Sequence, residues 1–168
     1  SIAATVEDPE AFADGRRGIA AAVYSPRSDE MFDAWLGGGA RLNGEAISIS
    51  GNLDLGTSLV GTGFGYTVER KLEQLELLQR VLPHVRDIRR IGSAAYDLCM
   101  TAAGRLDAFY EKGLQPWDYA GAALIATEAG AGIVGRDDAP PPGEPLICVA
   151  RPDAVRSLRA LALGDSER

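Results

Sequence analysis

Residues 110–122 read Tyr-Glu-Lys-Gly-Leu-Gln-Pro-Trp-Asp-Tyr-Ala-Gly-Ala, and residues 124–130 read Leu-Ile-Ala-Thr-Glu-Ala-Gly. The stretch predicts a helix over 116–129, because proline favours a first helical turn and glycine follows the last apolar turn. The residues just before it, 107–111, have the pattern of a strand. A strand that leads into an apolar helix is typical of proteins in which helices cover a sheet.

Two carboxylates stand where the strand meets the helix. Glu111 ends the strand, and Asp118 lies at the start of the helix beside Trp117. The unsatisfied N–H groups of a helix N-terminus favour a negative charge, and a carboxylate there can also hold a hard cation. Either both side chains line a polar cleft, with Asp118 on a divalent cation and Glu111 on a hydroxyl, or they only cap the helix and end the strand. Spacing alone leaves both interpretations open.

The rest of the chain divides near residue 50. Residues 1–50 predict an antiparallel meander, with strands at 1–7, 18–25, 30–36 and 46–49. Residues 51–168 alternate strands, predicted at 58–63, 87–91, 107–111, 132–134 and 146–150, with helices at 68–81, 93–103, 116–129 and 152–163. A Pro-rich surface loop is predicted at 136–145 and a frayed tail from residue 164. We therefore predict an α/β fold of the layered α+β kind, with 1–50 as an antiparallel-sheet layer and 51–168 as a mixed layer.

Composition argues against several classes of function. No apolar run is long enough to span a membrane, and the net charge of −7 argues against non-specific binding to nucleic acid or acidic membranes. Cys99 and Cys148 are far apart in the sequence, which favours two reduced core thiols over a disulfide. With His84 as the single histidine and no Cys-x-x-Cys pair, a zinc site is disfavoured.

Two glycine-containing turns are weaker candidates. Residues 92–95 read Gly-Ser-Ala-Ala, which either presents backbone N–H groups to an anion or hydroxyl or simply caps a helix at Ser93. Residues 61–66 read Gly-Thr-Gly-Phe-Gly-Tyr and lack the later glycine and acidic residue of a dinucleotide site, so they indicate a pocket wall or a plain sharp turn. Arg89 or Arg90 meets a phosphate if it faces the cleft, and a surface ion pair is the alternative.

Together these motifs resemble the inositol monophosphatase family of magnesium-dependent, lithium-sensitive sugar phosphatases. The strongest part of the likeness joins residues 92–95 to the Trp-Asp-Tyr-Ala-Gly block at 117–121 and the Glu-Ala-Gly at 128–130. This Trp-Asp-x-Ala-(Ala/Gly) block followed by Glu-Ala-Gly is one of the two signatures of the family. The turn at 38–44 also fits, and residues 62–66 look like the bacterial branch.

The resemblance implies a fold and a set of roles. The implied fold is an αβαβα sandwich, of which this chain holds the remaining antiparallel strands of the first sheet and the complete C-terminal mixed sheet with its helices. Asp118 resembles the catalytic aspartate that binds a metal ion and a substrate hydroxyl, and Glu111 resembles a glutamate that accepts substrate hydroxyls. Gly92, Ser93 and Ala94 resemble the turn whose backbone touches the substrate ring. The implied reaction is hydrolysis of a small-molecule phosphate monoester, in which Mg²⁺ activates water, clamps the phosphate and stabilises the leaving alkoxide.

The departure from the family is large. Its other signature, an Asp-Pro-(Ile/Val)-Asp-Gly-Thr loop, and its upstream Glu-Glu pair do not occur in this sequence. In the family these motifs carry most of the metal ligands, and they would lie before Ser1. We therefore expect the chain to be a fragment of a longer enzyme, to sit beside a missing segment or to self-associate. By itself it is expected to have no phosphatase activity.

Several alternatives remain open at this stage. Histidinol phosphate, fructose 1,6-bisphosphate and adenosine 3′,5′-bisphosphate are substrates of the same family. A hypothesis from another class is a non-catalytic relic or a regulatory binding subunit, comparable to the RNA-polymerase-associated members in bacteria. The resemblance also suggests a cytoplasmic homodimer without membrane contacts or direct nucleic-acid binding.

Overall fold

A computed structural model of the chain describes residues 1–50, 54–137, 143 and 145–165. The strands in these residues are β1 (Ile2–Glu7), β2 (Arg16–Ser25), β3 (Glu30–Trp35), β4 (Ala40–Leu42), β5 (Glu45–Ile47), β6 (Leu59–Thr62), β7 (Asp87–Arg89), β8 (Ala108–Lys112), β9 (Gly132–Val134) and β10 (Leu146–Ala150). The α-helices are α1 (Val68–Val81), α2 (Ala94–Ala102), α3 (Pro116–Glu128) and α4 (Val155–Leu163), and short 3₁₀ turns cover Leu55–Thr57 and Leu82–His84. The strands form two sheets, in the orders β1-β2-β3-β4-β5 and β7-β6-β8-β10-β9.

The first sheet is antiparallel at every pairing, as the meander predicts. Successive side chains of a strand point to opposite faces, so Ala21, Val23 and Phe32 are buried on one face while Tyr24 and Met31 lie on the other. The buried face packs against α2 and α3. The boundary that the sequence predicts near residue 50 falls beside residues 51–53, which lie outside the described residues, and it stays a prediction.

The second sheet is mixed. Strand β6 runs parallel to β7 and β8, and β10 runs antiparallel to β8 and β9. Helices α2 and α3 cover the face that contains Phe109 and Ile147, and α1 and α4 cover the face that contains Tyr110 and Cys148. The layers therefore run first sheet, α2 with α3, second sheet, α1 with α4. This arrangement confirms the predicted layered α/β fold.

Local predictions need correction at five places. Strand β2 begins at Arg16 rather than 18, and β7 ends at Arg89 rather than 91. Strand β4 was not predicted, because the glycine run at 37–39 reads as a break, yet the glycines form a turn that leads directly into the strand. Strand β5 ends at Ile47 rather than 49, because the Ile49 N–H donates to the carbonyl oxygen of Ala129 at 2.9 Å instead. Helix α4 begins at Val155 rather than 152, since residues 151–154 form a turn. Most of the predicted Pro-rich loop at 136–145, and the end of the predicted frayed tail, lie outside the described residues.

The remaining structural predictions can be compared directly. Cys99 and Cys148 are both buried and free, which confirms reduced core thiols. Across the described part of the chain, no helix has the length and apolar character needed to cross a membrane.

Glu128, the glutamate of the Glu-Ala-Gly part of the signature, has a structural role. Its carboxylate accepts the N–H of Gly37 and the N–H of Gly39, both at 2.9 Å. The two donors belong to the turn between β3 and β4, so the C-terminal end of α3 is tied to the first sheet. The Glu-Ala-Gly part of the signature therefore positions a helix and a turn rather than lining the cleft.

The outer face of the first sheet carries exposed apolar side chains. Ile2, Tyr24, Met31 and Trp35 lie on this face, opposite the one that packs on the helices. Strand β1 pairs with β2, and among the described residues no strand pairs with its other edge. An exposed edge beside an apolar face is a surface on which other chain segments can pair or pack.

Adjacent residues of β3 provide a test of which face of the first sheet belongs to the core. Phe32 is buried and meets the ring of Tyr96 edge-on, with centroids 6.0 Å apart, whereas its neighbour Met31 is exposed. We expect Phe32→Ala to lower the free energy of unfolding by about 3–5 kcal/mol, because it leaves a cavity between sheet and helix. Met31→Ala, the matched control, should cost less than about 1 kcal/mol. Equal losses in urea titrations of the two variants would contradict this assignment of faces.

Candidate functional site

A cleft of about 630 Å³ opens where strands of the second sheet meet the N-termini of α2 and α3. Its walls are the loop 63–67 after β6, the turn 92–95 before α2, and residues 111–115 between β8 and α3. Ser1 and Trp117 also border it. Because two helix N-termini face the same space, their unsatisfied N–H groups favour negative charge or a polar ligand there.

Glu111 lies near the end of β8 and is only 9% exposed. Its carboxylate packs directly over the loop after β6. A Cβ atom on Gly63 would lie 2.2 Å from Oε2 of Glu111, so any other residue at position 63 would displace the carboxylate. The glycine-rich segment after β6 therefore forms a wall of the pocket, as one of its two interpretations predicts.

Asp118 both caps a helix and lines the cleft. Its Oδ2 accepts the backbone N–H of Gln115 at 2.9 Å, which satisfies a donor at the N-terminus of α3. The same residue contributes to the wall of the cleft. The two interpretations of Asp118 are thus compatible, because the capping bond uses one carboxylate oxygen and leaves the other.

The turn before α2 is the third predicted component. Gly92 has φ +96°, a conformation that side-chain-bearing residues rarely adopt, so the turn requires glycine at this position. Ser93 caps α2, with its Oγ accepting the Tyr96 N–H at 3.4 Å. All five site residues predicted from the sequence, which are Gly92, Ser93, Ala94, Glu111 and Asp118, lie on the wall of one cleft. Their roles toward a substrate or metal stay predictions.

Asp97 is a further residue of the cleft that was not identified from the sequence. It lies in the first turn of α2, is 1% exposed, and its Oδ1 has no hydrogen-bond partner among the described residues. In the sequence it looks like an ordinary acidic residue in a first helical turn. The available signal was its position four residues after the capping Ser93, which places it on the side of α2 that faces the turn.

Burial controls the ionisation of the two inner carboxyls. It raises the pKa of Glu111 from 4.5 to about 7, and the charges of Asp97 and Asp118 push in the same direction. It raises the pKa of Asp97 from 3.8 to about 6, although the nearby N–H groups of Ile91, Ser93 and Gly92 act against this. Arg90 lowers both pKa values. The lining therefore sets three carboxyls, Asp97, Glu111 and Asp118, against three cationic side chains, Arg70, Arg90 and Lys112, and burial favours the neutral form of the inner two carboxyls.

The two arginines before the turn have different surroundings. Arg89 forms an exposed ion pair with Asp87, which confirms the surface alternative for that residue. Arg90 lines the cleft and lies over the ring of Phe64, with 5.9 Å between its guanidinium carbon and the ring centroid. Arg90 is thus placed to meet an anionic group that enters the cleft.

The metal-binding capacity of the described residues is partial. No group of three or more His, Cys, Asp or Glu side chains in them is arranged to hold a metal ion. Asp118 offers one carboxylate oxygen beyond its capping bond, and Glu111 and Asp97 add negative charge. Carboxylate oxygens are the ligands that Mg²⁺ prefers. These residues therefore fit one ligand of a magnesium site and not a complete coordination shell.

Comparisons with known proteins agree on one family. A family model described as the inositol monophosphatase family matches residues 11–162. The inositol-1-monophosphatase SuhB of Mycobacterium tuberculosis is 51% identical over 120 residues, which cover 69% of this chain and 41% of that protein. The Nus factor SuhB of Vibrio cholerae is 42% identical over 112 residues, covering 66% of this chain and 42% of that protein.

Solved structures of the same family share this fold. A solved structure of Mycobacterium tuberculosis SuhB matches with a TM-score of 0.78 and 43% identity, covering 88% of this chain and 60% of that chain. The chain spans about half the length of the curated relatives it matches.

The raised pKa values of the inner carboxyls predict a dependence of stability on pH. Between the ordinary pKa of Glu111 and about 7, the folded chain keeps a proton that the unfolded chain has lost, so stability falls as pH rises through this window. Asp97 acts in the same direction from its ordinary pKa up to about 6. The loss attributable to Glu111 is on the order of 3 kcal/mol. Urea titrations at about pH 5 and about pH 8 measure it.

Substitution isolates the contribution of Glu111. Glu111→Gln keeps the shape of the side chain and cannot ionise, so we expect it to flatten the decline in stability between the two pH values. Glu45→Gln, which changes an exposed acid in β5, is the matched control and should leave the decline unchanged. A wild-type decline that persists in full in Glu111→Gln would refute the assignment to Glu111.

Proposed function

Because the chain belongs to the inositol monophosphatase family, we propose that its cleft binds the hydroxyl-bearing side of a phosphate monoester during Mg²⁺-dependent hydrolysis. One observation carries this proposal. Glu111, Asp118 and the turn 92–94 come from three different elements, yet they converge on the same cleft. Convergent polar groups in a concave site, with strongly shifted pKa values among them, are typical of ligand-binding sites.

Each element has a distinct task in this proposal. Glu111 accepts a hydroxyl of the substrate, and its buried position holds the carboxylate in one place. The backbone of Gly92, Ser93 and Ala94 contacts the ring, at the N-terminus of α2. Arg90, which also lines the cleft, stabilises the ionised forms of Asp97 and Glu111.

Asp118 is the residue of this chain that would hold a magnesium ion. Its capping bond to Gln115 fixes the carboxylate at the first turn of α3, in a residue that lines the cleft. Magnesium would supply Lewis-acid stabilisation of the phosphate and activation of water. The protein contribution is orientation, because the substrate hydroxyl and the cation are held by side chains on neighbouring element ends.

We propose that hydrolysis requires carboxylates in addition to Asp118. The basis is the count of ligands: one aspartate of the described residues fits the metal, whereas Mg²⁺ in phosphate chemistry is held by several oxygen ligands that include the substrate phosphate. The outer face of the first sheet and the free edge of β1 offer a surface for a segment that carries them.

The substrate, the lithium sensitivity, the cellular location and the oligomeric state are further parts of the proposal. The favoured substrate is an inositol or related sugar phosphate, with histidinol phosphate, fructose 1,6-bisphosphate and adenosine 3′,5′-bisphosphate as alternatives. We also propose lithium sensitivity, a cytoplasmic location and a homodimer, as in the family that the chain resembles. The name inositol-1-monophosphatase, which the Mycobacterium tuberculosis relative carries, supports the first of these substrates.

A regulatory role is the second candidate. The Vibrio cholerae relative is named a Nus factor, and its identity of 42% falls below the 51% of the mycobacterial protein. In this alternative the cleft would have no catalytic task. The two functions differ in whether Asp118 is required, since a binding surface elsewhere on the chain would tolerate its replacement.

The proposal predicts that the purified 168-residue chain releases no phosphate from inositol 1-phosphate in Mg²⁺, because a single metal-binding carboxylate cannot assemble the site. A colorimetric assay of released phosphate measures this. Full-length Mycobacterium tuberculosis SuhB, assayed in parallel, controls for substrate and metal quality. Turnover by the chain alone that depends on Mg²⁺ would contradict the prediction.

Complementation tests whether added carboxylates give hydrolysis together with this chain. We expect the part of Mycobacterium tuberculosis SuhB outside the aligned region, added as a separate polypeptide, to give turnover with this chain. Asp118→Asn should lower that turnover by on the order of 10²–10³, because it removes negative charge where the cation binds. Asp165→Asn, which changes an exposed aspartate after α4, away from both the cleft and the first sheet, is the matched control and should leave turnover unchanged. Restored turnover that is indifferent to Asp118→Asn would contradict the proposed role of Asp118 as a metal ligand, and no turnover from the combined polypeptides would favour the regulatory alternative.

A further inference from the structure

The turn before α2 has the form of an anion-binding nest. Gly92 has φ +96°, and a residue of this conformation within a turn brings successive backbone N–H groups to one side. The turn leads directly into the first turn of α2, where further N–H groups have no partner within the helix. A concavity of this kind at a helix N-terminus is suited to a phosphate or another anion. What decides its ligand is whether the chain already supplies the negative charge.

The negative group beside this nest is the chain's own Asp97. The N–H groups of Ile91, Gly92 and Ser93 act on its carboxylate and favour the charged form. Asp97 is 1% exposed and belongs to the lining of the cleft, and its Oδ1 has no hydrogen-bond partner among the described residues. A buried carboxylate oxygen without a partner is uncommon in proteins and calls for an explanation. Its position supplies one, because the carboxylate takes the electrostatic place of a bound anion.

The N–H groups at the start of α2 divide into two pairs. Ser93 satisfies one pair, since its Oγ accepts the N–H of Tyr96 at 3.4 Å and its carbonyl oxygen accepts the N–H of Asp97 at 2.8 Å. The other pair belongs to Ala94 and Ala95, which line the cleft. Ala94 lies three residues before Asp97, so the two share a side of the helix. A ligand that meets these donors is therefore held close to the charge of Asp97.

A second carboxyl reinforces that charge. Burial raises the pKa of Glu111 to about 7, and the charge of Asp97 contributes next. Burial also raises the pKa of Asp97 to about 6, against the opposing effects of the turn N–H groups and of Arg90. Above that pH Asp97 is ionised, and a phosphate at the N-terminus of α2 would face a like charge in a site of low dielectric. A neutral hydroxyl meets no such repulsion.

We propose that Asp97 is a specificity-determining residue, whose buried charge reserves the N-terminus of α2 for neutral hydroxyl groups and excludes phosphate from it. Of the two ligands that the sequence leaves open for this turn, an anion or a hydroxyl, the charge selects the hydroxyl. The inference rests on the function proposed above, in which the turn contacts the hydroxyl-bearing side of a phosphate monoester. It adds a reason for the orientation of that ligand, because its phosphate then lies toward Asp118, where a cation can neutralise it.

Replacement of Asp97 should create an anion site, a gain that a merely structural role would not produce. Asp97→Asn keeps the size of the side chain and removes its charge, and inorganic phosphate at about pH 8 is the probe. In isotope-labelled chain, the NMR signals of the Ala94 and Ala95 amides report phosphate at the turn. We expect Asp97→Asn to bind phosphate there at least about tenfold more tightly than wild type, because one like charge is gone.

A matched variant and a matched ligand control this comparison. Glu69 is the acidic residue in the first turn of α1, and it is exposed and outside the lining of the cleft. Glu69→Gln removes a charge from the corresponding part of another helix and should leave phosphate binding at Ala94 and Ala95 unchanged. Neutral myo-inositol is the matched ligand, and Asp97→Asn should not strengthen its binding. Equal phosphate binding by wild type and Asp97→Asn, or an equal gain for myo-inositol, overturns the proposal.

A second measurement decides the matter if Asp97→Asn folds poorly. Sulfate keeps its charge between about pH 5 and about pH 8, and in Glu111→Gln the inner carboxyl that ionises over this range is Asp97. We expect sulfate to shift the Ala94 and Ala95 signals at the lower pH and to lose at least about tenfold in affinity at the higher. Sulfate binding that is independent of pH, or absent at both values, overturns the proposal. Neither measurement involves phosphate release, so its failure leaves the complementation result standing, and failed complementation leaves these measurements intact.

Discussion

The position of the cleft depends on one constraint, the burial of α3 on both of its sides. Tyr119, Ala122, Ile125 and Ala126 are buried, and apolar residues continue around the helix. A helix that is apolar all round is stable only when it is covered all round. The two sheets provide that cover, and Glu128 ties the far end of α3 to the first sheet. The first turn of α3, with Asp118, is then the part that emerges at the edge of the sandwich.

The same packing makes the cleft electrostatically unfavourable in the chain alone. Glu111 and Asp97 are buried beside each other and beside Asp118, so each carboxyl disfavours the ionisation of Glu111. Arg90 offsets part of this. Taking ionised groups out of water without full compensation is costly, and an added cation is the direct remedy. Relief of this repulsion among buried carboxyls is the physical basis on which the proposed cation site rests.

The sequence was informative where one local rule determined the outcome. The spacing of leucines predicted α1 within a residue of its bounds, and the proline and glycine around 116–130 predicted α3. Strand β4 was missed because its existence depends on pairing with β3, which a glycine run conceals. Asp97 was missed because its burial depends on the turn at Gly92 folding over it, a tertiary feature with no local pattern. The leucine pattern of α1 likewise gave the helix correctly but could not say which face the chain would bury.

The described residues present two exposed apolar surfaces, which differ in the partner that each suits. The outer face of the first sheet is broad, with Ala20 and Ala22 between larger side chains, and beside it runs the free edge of β1. A broad face with backbone donors and acceptors at its edge suits a segment that adds both a strand and a covering helix. The second surface consists of the exposed leucines of α1, Leu72 and Leu75, on a helix whose backbone is already hydrogen-bonded and beside charges of both signs. That surface offers no free backbone donors or acceptors, so a partner there would be held by side-chain packing alone.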